Sequence, residues 1–285
     1  MGSMNKLSAA RRAQVIAALV EGNSIRSTVR MTGVAKNTVT KLLVDLGAAC
    51  MVYQDRTMQN LPCTRVQCDE IWAFCHSKQN NVAPEHQGVL GYGDVWTWTA
   101  IDAETKLIPS WLVALRNGHY AHMFISDLAE RLTSGVQLTT DGHKPYMEAV
   151  EQAFGGDIDY AMLVKMYGPD PSAEKRYSPA ECLGAEKRTI MGNPDEAHIS
   201  TSYVERQNLT TRMSMRRFTR LTNAFSKKVE NLEAAVSLHF MYYNFARPHM
   251  SLKTPTNPYP TTPAMAAGVS DHVWSIAEIV SRLGD

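Results

Sequence analysis

Residues 95–113 read Val-Trp-Thr-Trp-Thr-Ala-Ile-Asp-Ala-Glu-Thr-Lys-Leu-Ile-Pro-Ser-Trp-Leu-Val. The first eight are rich in aromatic and β-branched residues, with Trp96 and Trp98 alternating on what reads as one sheet face. The polar turn Ala103-Glu104-Thr105 follows, and Lys106 to Val113 is again strand-like. An antiparallel hairpin is predicted. Upstream, Thr64 to Trp72 is a third strand signal, so the segment opens as a meander.

Downstream the period changes. His119 to Leu132 places Met123, Ile125, Leu128 and Leu132 on one helix face. Val136 to Thr140 is a short strand, Lys144 to Phe154 a helix and Asp157 to Met166 a strand. Thr201 to about Leu221 reads as a long helix, and Val229 to Phe245 as another. Three meandering strands followed by helix, strand, helix, strand, helix is the order of an RNase H-like core. The expected fold class is therefore α/β, a mixed five-stranded sheet covered by helices on both faces.

In front of this core lies an all-helical segment. Ser8 is a candidate N-cap for a helix carrying Val15, Ile16, Leu19 and Val20, and Gly22-Asn23 ends it. Ser24 starts a second helix, Gly33 makes a tight turn, and Lys36 to Leu46 forms a third. This is the helix-turn-helix pattern. Lys36, Asn37, Thr38, Thr40 and Lys41 occupy the outward positions of the third helix, where they could reach base edges and phosphates of a major groove. A plain three-helix bundle is the bland alternative. The boundaries expected are a small domain over 4–50, a polar linker over 51–63, the core over 64–250, and a Pro- and Thr-rich C-terminal extension over 251–285 with a short helix near Ser275 to Leu283. Residues 168–199, with four prolines and mixed charge, read as a surface insertion.

The net charge of +1 hides an uneven distribution. Residues 1–50 carry seven Lys/Arg against two acids, and residues 206–228 carry seven basic residues and no acid. Two basic blocks on a near-neutral chain imply polyanion contacts at two places. Five cysteines without a CxxC pair fit reduced thiols, although zinc through Cys63, Cys68, Cys75 and His76 stays open. No apolar run reaches transmembrane length, and the expected compartment is the cytoplasm.

Asp69 and Asp141 each end a strand-like run, and Glu205 lies early on the following helix. Three clustered carboxylates repel one another, and divalent cations relieve that repulsion. Oxygen ligands with open water positions suit Mg²⁺ or Mn²⁺, and two such ions can drive in-line phosphodiester chemistry. Taken singly, each acid has a structural reading: a turn at Asp141-Gly142, a capping box over Ser202 to Glu205, a surface acid at Asp69 or Glu70. Asp69 and Glu70 are adjacent, so only one is expected to face the site. Arg212, two helical turns beyond Glu205, should share its face, with Arg206, Arg216 and Arg217 extending the basic surface. His143 and Lys144 follow Asp141 and could touch phosphates.

These pieces resemble the DDE transposases of bacterial insertion sequences, especially the IS-one-like type. The motifs are Asp69-Glu70-Ile71-Trp72, Thr140-Asp141-Gly142-His143-Lys144-Pro145-Tyr146, and Glu205-Arg206-Gln207-Asn208 followed by Arg212, Phe218 and the run Phe225 to Glu230. Tyr243 to His249 also matches the segment after the last catalytic helix of integrase-related enzymes. The resemblance implies that Asp69, Asp141 and Glu205 bind two Mg²⁺ or Mn²⁺ ions. It implies that Arg212 contacts the transposon end. Members of the family cut DNA at element ends and join the freed 3′-hydroxyl to target DNA, acting as dimers or larger assemblies on double-stranded DNA, which here means a nucleoid-associated bacterial protein. A nuclease without strand transfer, or a DNA-binding repressor descended from such an enzyme, are the alternatives. The 64 positions from Asp141 to Glu205 are long for IS-one-like relatives. The N-terminal zinc-binding Cys cluster of some relatives is absent.

Overall fold

The computed structural model describes residues 7–133, 135–168, 182–219 and 222–284. Three helices open the chain: α1 (Ala9–Val20), α2 (Ile25–Thr32) and α3 (Lys36–Thr57). Ser8 and Ser24 cap the first two, each side chain accepting from an amide in the first turn. Gly33 ends α2 at φ 68°, a left-handed position that suits glycine. Strands β1 (Arg65–Cys75), β2 (Gly93–Asp102) and β3 (Trp111–Ala114) follow, then α4 (Gly118–Arg131), β4 (Gln137–Thr140), α5 (Pro145–Phe154), β5 (Asp159–Tyr167) and β6 (Cys182–Met191). The chain ends with α6 (Ser202–Ser214), α7 (Val229–Met241) and two short helices, α8 (Pro263–Ala266) and α9 (Ile276–Ser281).

The sheet runs β3-β2-β1-β4-β5-β6, with β1–β4 and β4–β5 parallel and the other pairs antiparallel. One face is covered by α4 and α5, whose Phe124 and Tyr146 rings pack on Trp98. The other face receives α6 and α7. Trp98, Phe124, Tyr146 and Tyr160 are fully buried and form the centre of the first layer. Burying side chains of this size is worth about 1.5–3 kcal/mol each relative to exposure.

The sheet has six strands among the described residues, not the five expected. The sixth, β6, falls inside the stretch read as an insertion over 168–199; residues 169–181 of that stretch lie outside the described residues. β6 is an edge strand exposed over most of its length, so Glu186, Lys187 and Arg188 replace the apolar alternation that would have marked it. The third strand begins at Trp111 and not at Lys106. Lys106 has φ 62° and Pro109 lacks an amide hydrogen, so the ladder breaks between them. The buried Asn244 side chain replaces it, accepting from Ile108 N–H and donating to Ile108 C=O, both at 3.0 Å.

The helix α3 does not stop at Leu46. It continues through residues 51–57, where a linker was expected, because its second half packs on α7. At Gly47 an added Cβ would lie 2.5 Å from Ala234 Cα, so only glycine allows the two backbones to approach. The Ser237 hydroxyl donates to Gly47 C=O and Gln54 donates to Ser237 C=O. At the other end of the chain, Ile279 and Val280 of α9 are buried, and α9 packs on α1. Among the described residues, no helix is long and apolar enough to cross a membrane.

Candidate active site

β4 ends at Thr140, while its parallel neighbour β1 runs on from Asp69 to Cys75. Asp141 therefore stands beside Asp69 at the point where β1 loses its partner. Asp69 and Glu70 point to opposite faces of the strand, yet with no strand alongside, both carboxylates reach round to Asp141. One oxygen from each of Asp69, Glu70 and Asp141 lies within 4.8 Å of the others. The expectation that only one of the adjacent acids faces the site is thus corrected. Glu205 lines the same cleft of about 760 Å³, along with Arg116, His143, Lys144 and Lys165. Its carboxylate stands outside the tight group of three.

Local bonds explain these positions. Asp69 Oδ1 accepts from Glu70 N–H and Oδ2 from Asn208 Nδ2, both at 2.8 Å. Asp141 Oδ1 accepts from His143 N–H at 3.0 Å and Oδ2 from Arg116 Nη2 at 3.3 Å. Arg116 Nε also donates to Glu70 Oε2 at 3.0 Å, bridging two of the acids. The capping box over Ser202 to Glu205, the structural alternative for that acid, does not form. Thr201 is the N-cap, its hydroxyl donates to Glu205, and the first amides of α6 at Tyr203 and Val204 donate to Gln67 Oε1 of β1. Glu205 Oε2 pairs with Lys165 of β5 at 2.5 Å.

The electrostatics follow from this crowding. Burial first, then the Asp141 charge, push Asp69 up to about 7, with Glu205 adding to the effect. Glu70 is likewise lifted to about 7, by burial and then by Asp141. Its side chain is only 1% exposed, and Oε1 has no hydrogen-bond partner. The Tyr146 hydroxyl nearby helps hold the Glu70 charge, although it makes no hydrogen bond of ordinary geometry. Burial, then Arg116, lower His143. Burial works against the Lys165 charge, and its bond to Glu205 more than restores it. Hard, partly unsatisfied carboxylate oxygens packed this closely are the donor set that Mg²⁺ or Mn²⁺ takes. Among the described residues they form the one group of metal-ligating type, and Cys63, Cys68, Cys75 and His76 do not gather for zinc.

The basic residues divide into two classes. Lys36, Asn37, Thr38 and Lys41 are exposed at the start of α3, Thr40 is half-buried, and Lys41 pairs with Asp45. Lys144 and Arg206 are exposed, at the cleft and on α6 respectively. Arg212 lies two turns after Glu205 on the same helix, and its Nη1 donates to Phe218 C=O. The helix was expected to reach Leu221, but it ends at Ser214 because Met215 and Phe218 turn back into the core. Arg216 and Arg217 therefore do not continue the α6 face. Arg216 is exposed, whereas Arg217 is half-buried, donates to Ser226 Oγ, and is lowered to about 10 by burial.

Sequence reasoning missed Arg116, Lys165, Asn208 and the inward reach of Glu70. Asn208 could have been found, since it lies three residues after Glu205 and so nearly on the same face. Arg116 and Lys165 follow or end strands whose pairing decides where they point, and no spacing signals them.

No family model matches the chain, and no curated protein matches it. Among solved structures, the chain is similar to the Mos1 transposase paired-end complex with left transposon end, with 11% identity, 56% of this chain and 60% of that one covered, and a TM-score of 0.24. It is also similar to a piggyBac transposase synaptic complex with hairpin DNA, with 10% identity, 99% and 72% covered, and a TM-score of 0.41. The Mos1 strand transfer complex matches at 11% identity over 85% and 77%, with a TM-score of 0.24. The chain spans only 60% of the chain in the first of these.

Proposed function

We propose that this chain is a metal-dependent DNA strand transferase of the DDE type. It would act on the ends of a mobile element and on target DNA, as a dimer or larger assembly in a bacterial cytoplasm. The observation that supports this most is the meeting of Asp69, Asp141 and Glu205 from β1, β4 and α6 in one cleft, with Asp69 and its neighbour Glu70 both lifted to about 7. Carboxyls that resist ionising at this density are poised to exchange protons for a divalent cation.

Asp69, Asp141 and Glu205, with Glu70 beside them, would hold two Mg²⁺ or Mn²⁺ ions. Bound there, such ions supply activation of an attacking water or 3′-hydroxyl and stabilise the leaving oxygen. The remaining work falls to this chain's side chains. Asn208 orients the Asp69 carboxylate through its bond to Oδ2, and the Asp141 turn is fixed by the His143 amide. Arg116 and Lys144 stand at the cleft where a scissile phosphate would lie, and Lys165 joins them once Glu205 releases it. Lys36, Asn37, Thr38, Thr40 and Lys41 would read element-end DNA, with Arg206, Arg212, Arg216 and Arg217 contributing to the phosphate-binding surface. Arg217 is the weakest member of that set because its guanidinium is held by Ser226 Oγ and burial lowers it to about 10.

The test uses duplexes cut from the DNA that flanks the coding sequence, pre-nicked to expose a 3′-hydroxyl, with a supercoiled plasmid as target and Mg²⁺ or Mn²⁺. Joined products from the wild type, lost in Asp141→Asn, are expected. Hydrolysis without joining would make the chain a nuclease. Equal behaviour of wild type and Asp141→Asn would remove the catalytic assignment.

A further inference from the structure

Past the level of Thr140, β1 continues with β2 on one side and, in place of β4, the segment around Ser226 on the other. A Cys75–Ser226 bridge and a 2.9 Å bond from His76 N–H to Ser226 C=O hold that segment in place. On the Glu70 face, each of these three neighbouring segments presents aromatic side chains. Trp96 of β2 stands directly opposite Trp72 of β1. The Trp72 and Phe74 rings are 5.9 Å apart, and the Phe74 and Phe225 rings 4.7 Å. All four are half-buried and none enters the core. A cation stands at each end of the row: Arg116 is 5.1 Å from the Trp96 ring, and Lys227 Nζ is 5.2 Å from the Phe225 ring.

Cross-strand aromatic pairs stabilise a hairpin by themselves. Folding, however, does not require that the row keep an open face or be flanked by cations. Nor does it require that the row begin at Arg116, the side chain that bridges Glu70 and Asp141. With strands about 4.8 Å apart, the row spans roughly 10 Å across the sheet, room for about two bases lying flat. A paired duplex offers phosphates and groove edges, and its base faces are hidden in the stack. Only an opened strand can use an aromatic row.

We propose that Trp96, Trp72, Phe74 and Phe225 form a stacking ledge for unpaired nucleotides of a DNA strand whose phosphate lies at the carboxylates, with Arg116 and Lys227 on the flanking phosphates. The placement of that phosphate rests on the strand-transferase proposal. The ledge's preference for unpaired bases does not. Aromatic stacking is worth about 1–3 kcal/mol per base and tolerates any sequence, because every base has a π-face.

The experiment measures binding of the full chain, in EDTA, to a blunt duplex and to the same duplex with a three-nucleotide unpaired end carrying 2-aminopurine. The wild type should bind the forked end at least tenfold more tightly and quench the 2-aminopurine. A double variant Trp72→Leu/Trp96→Leu keeps apolar bulk but cannot stack, and should lose both the preference and the quenching. Trp72→Phe/Trp96→Phe should retain most of both, which separates stacking from a loss of fold. Equal affinity of the wild type for forked and blunt DNA overturns the ledge, as does full quenching by the Leu variant. A clear preference for a ribonucleotide fork over the deoxyribonucleotide one overturns its assignment to DNA. Because EDTA removes any strand transfer, a transferase with no fork preference refutes the ledge alone, and a fork preference in a chain that neither cuts nor joins refutes the catalytic proposal alone.

Discussion

Replacing Asp69 by asparagine should stabilise the metal-free protein at alkaline pH. Asp69 is lifted from 3.8 to about 7 by burial and by the neighbouring carboxylates. A carboxyl whose folded-state pKa lies above its unfolded value binds its proton more tightly when folded. Stability is then lost as pH rises from about 4 through about 7, where the buried group must ionise. Roughly three pKa units at about 1.4 kcal/mol each set a ceiling near 4 kcal/mol. The cleft is open to water and the Asp69 charge is coupled to its neighbours, so about 1–2 kcal/mol is the expected gain for Asp69→Asn at pH 8.5. The variant loses little in hydrogen bonding. The new carboxamide keeps an oxygen to accept from the Glu70 amide, and Asn208 Oδ1, which has no partner, can accept from its nitrogen once the Asn208 side chain turns over. Urea melts in EDTA at pH 4.5 and pH 8.5 test this. Near-equal stability at pH 4.5 with a more stable variant at pH 8.5 is expected, and Mn²⁺ should then raise the wild type and not the variant. A variant that is less stable at pH 8.5 would refute the claim that burial and the neighbouring carboxylates penalise the Asp69 charge.

Four further outcomes are expected. Lys165→Met should leave the fold intact, because a pair about a third exposed contributes under about 1 kcal/mol, and should tighten Mn²⁺ binding several-fold by calorimetry, since Glu205 no longer has to leave a partner. Gly47→Ala should cost about 1–3 kcal/mol in urea melts, as its Cβ would press on the Ala234 backbone and part α3 from α7. Asn244→Ala should cost about 2–4 kcal/mol by the same measurement, leaving both polar groups of Ile108 buried and unpaired. Lys36→Ala combined with Lys41→Ala should weaken binding to element-end DNA and lower the slope of log affinity against log salt by about two in filter binding.

Much of the fold was legible because its strands and helices carry strong periods. The first two strands, the two β-α steps and the first two N-terminal helices were placed within a few residues, whereas the start of β3 and the end of α3 were not. What escaped was structure whose cause lies in distant contacts. β6 shows no apolar alternation because it sits at an edge. Residues 51–57 show no helical apolar face because the buried member of the stretch, Gln54, is polar and bonds Ser237 of α7, while Met51 and Val52 are exposed. Met215 ends α6 because the core recruits Phe218, which no local signal in 201–221 announces. At the candidate site, Asp69, read as ending a strand, lies within β1, whereas Asp141 and Glu205 could be proposed from their places just after β4 and in the first turn of α6. Glu70 could not, because its inward reach depends on β4 stopping at Thr140 while β1 continues.

The position of Glu205 is determined by β1 more than by its own helix. Gln67 and Asp69 are two residues apart on one face of β1, and each holds α6: Gln67 takes the amides of Tyr203 and Val204, at 2.8 and 3.2 Å, and Asp69 takes Asn208 Nδ2. Glu205 lies between these anchors. Its backbone is therefore fixed at both ends of a helical turn, while among the described residues its side chain is held by Thr201 and Lys165, contacts that a competing cation can replace. On the proposed function, a rigid backbone with an exchangeable side-chain partner is what a late-arriving ligand would need. The carboxylate can swing toward Asp69 and Asp141 without moving the helix. On the same proposal, the oxygens of Asp69, Glu70 and Asp141 that approach one another would take the cation, with Arg116 leaving Glu70 and Asp141 and Glu205 turning in from Lys165.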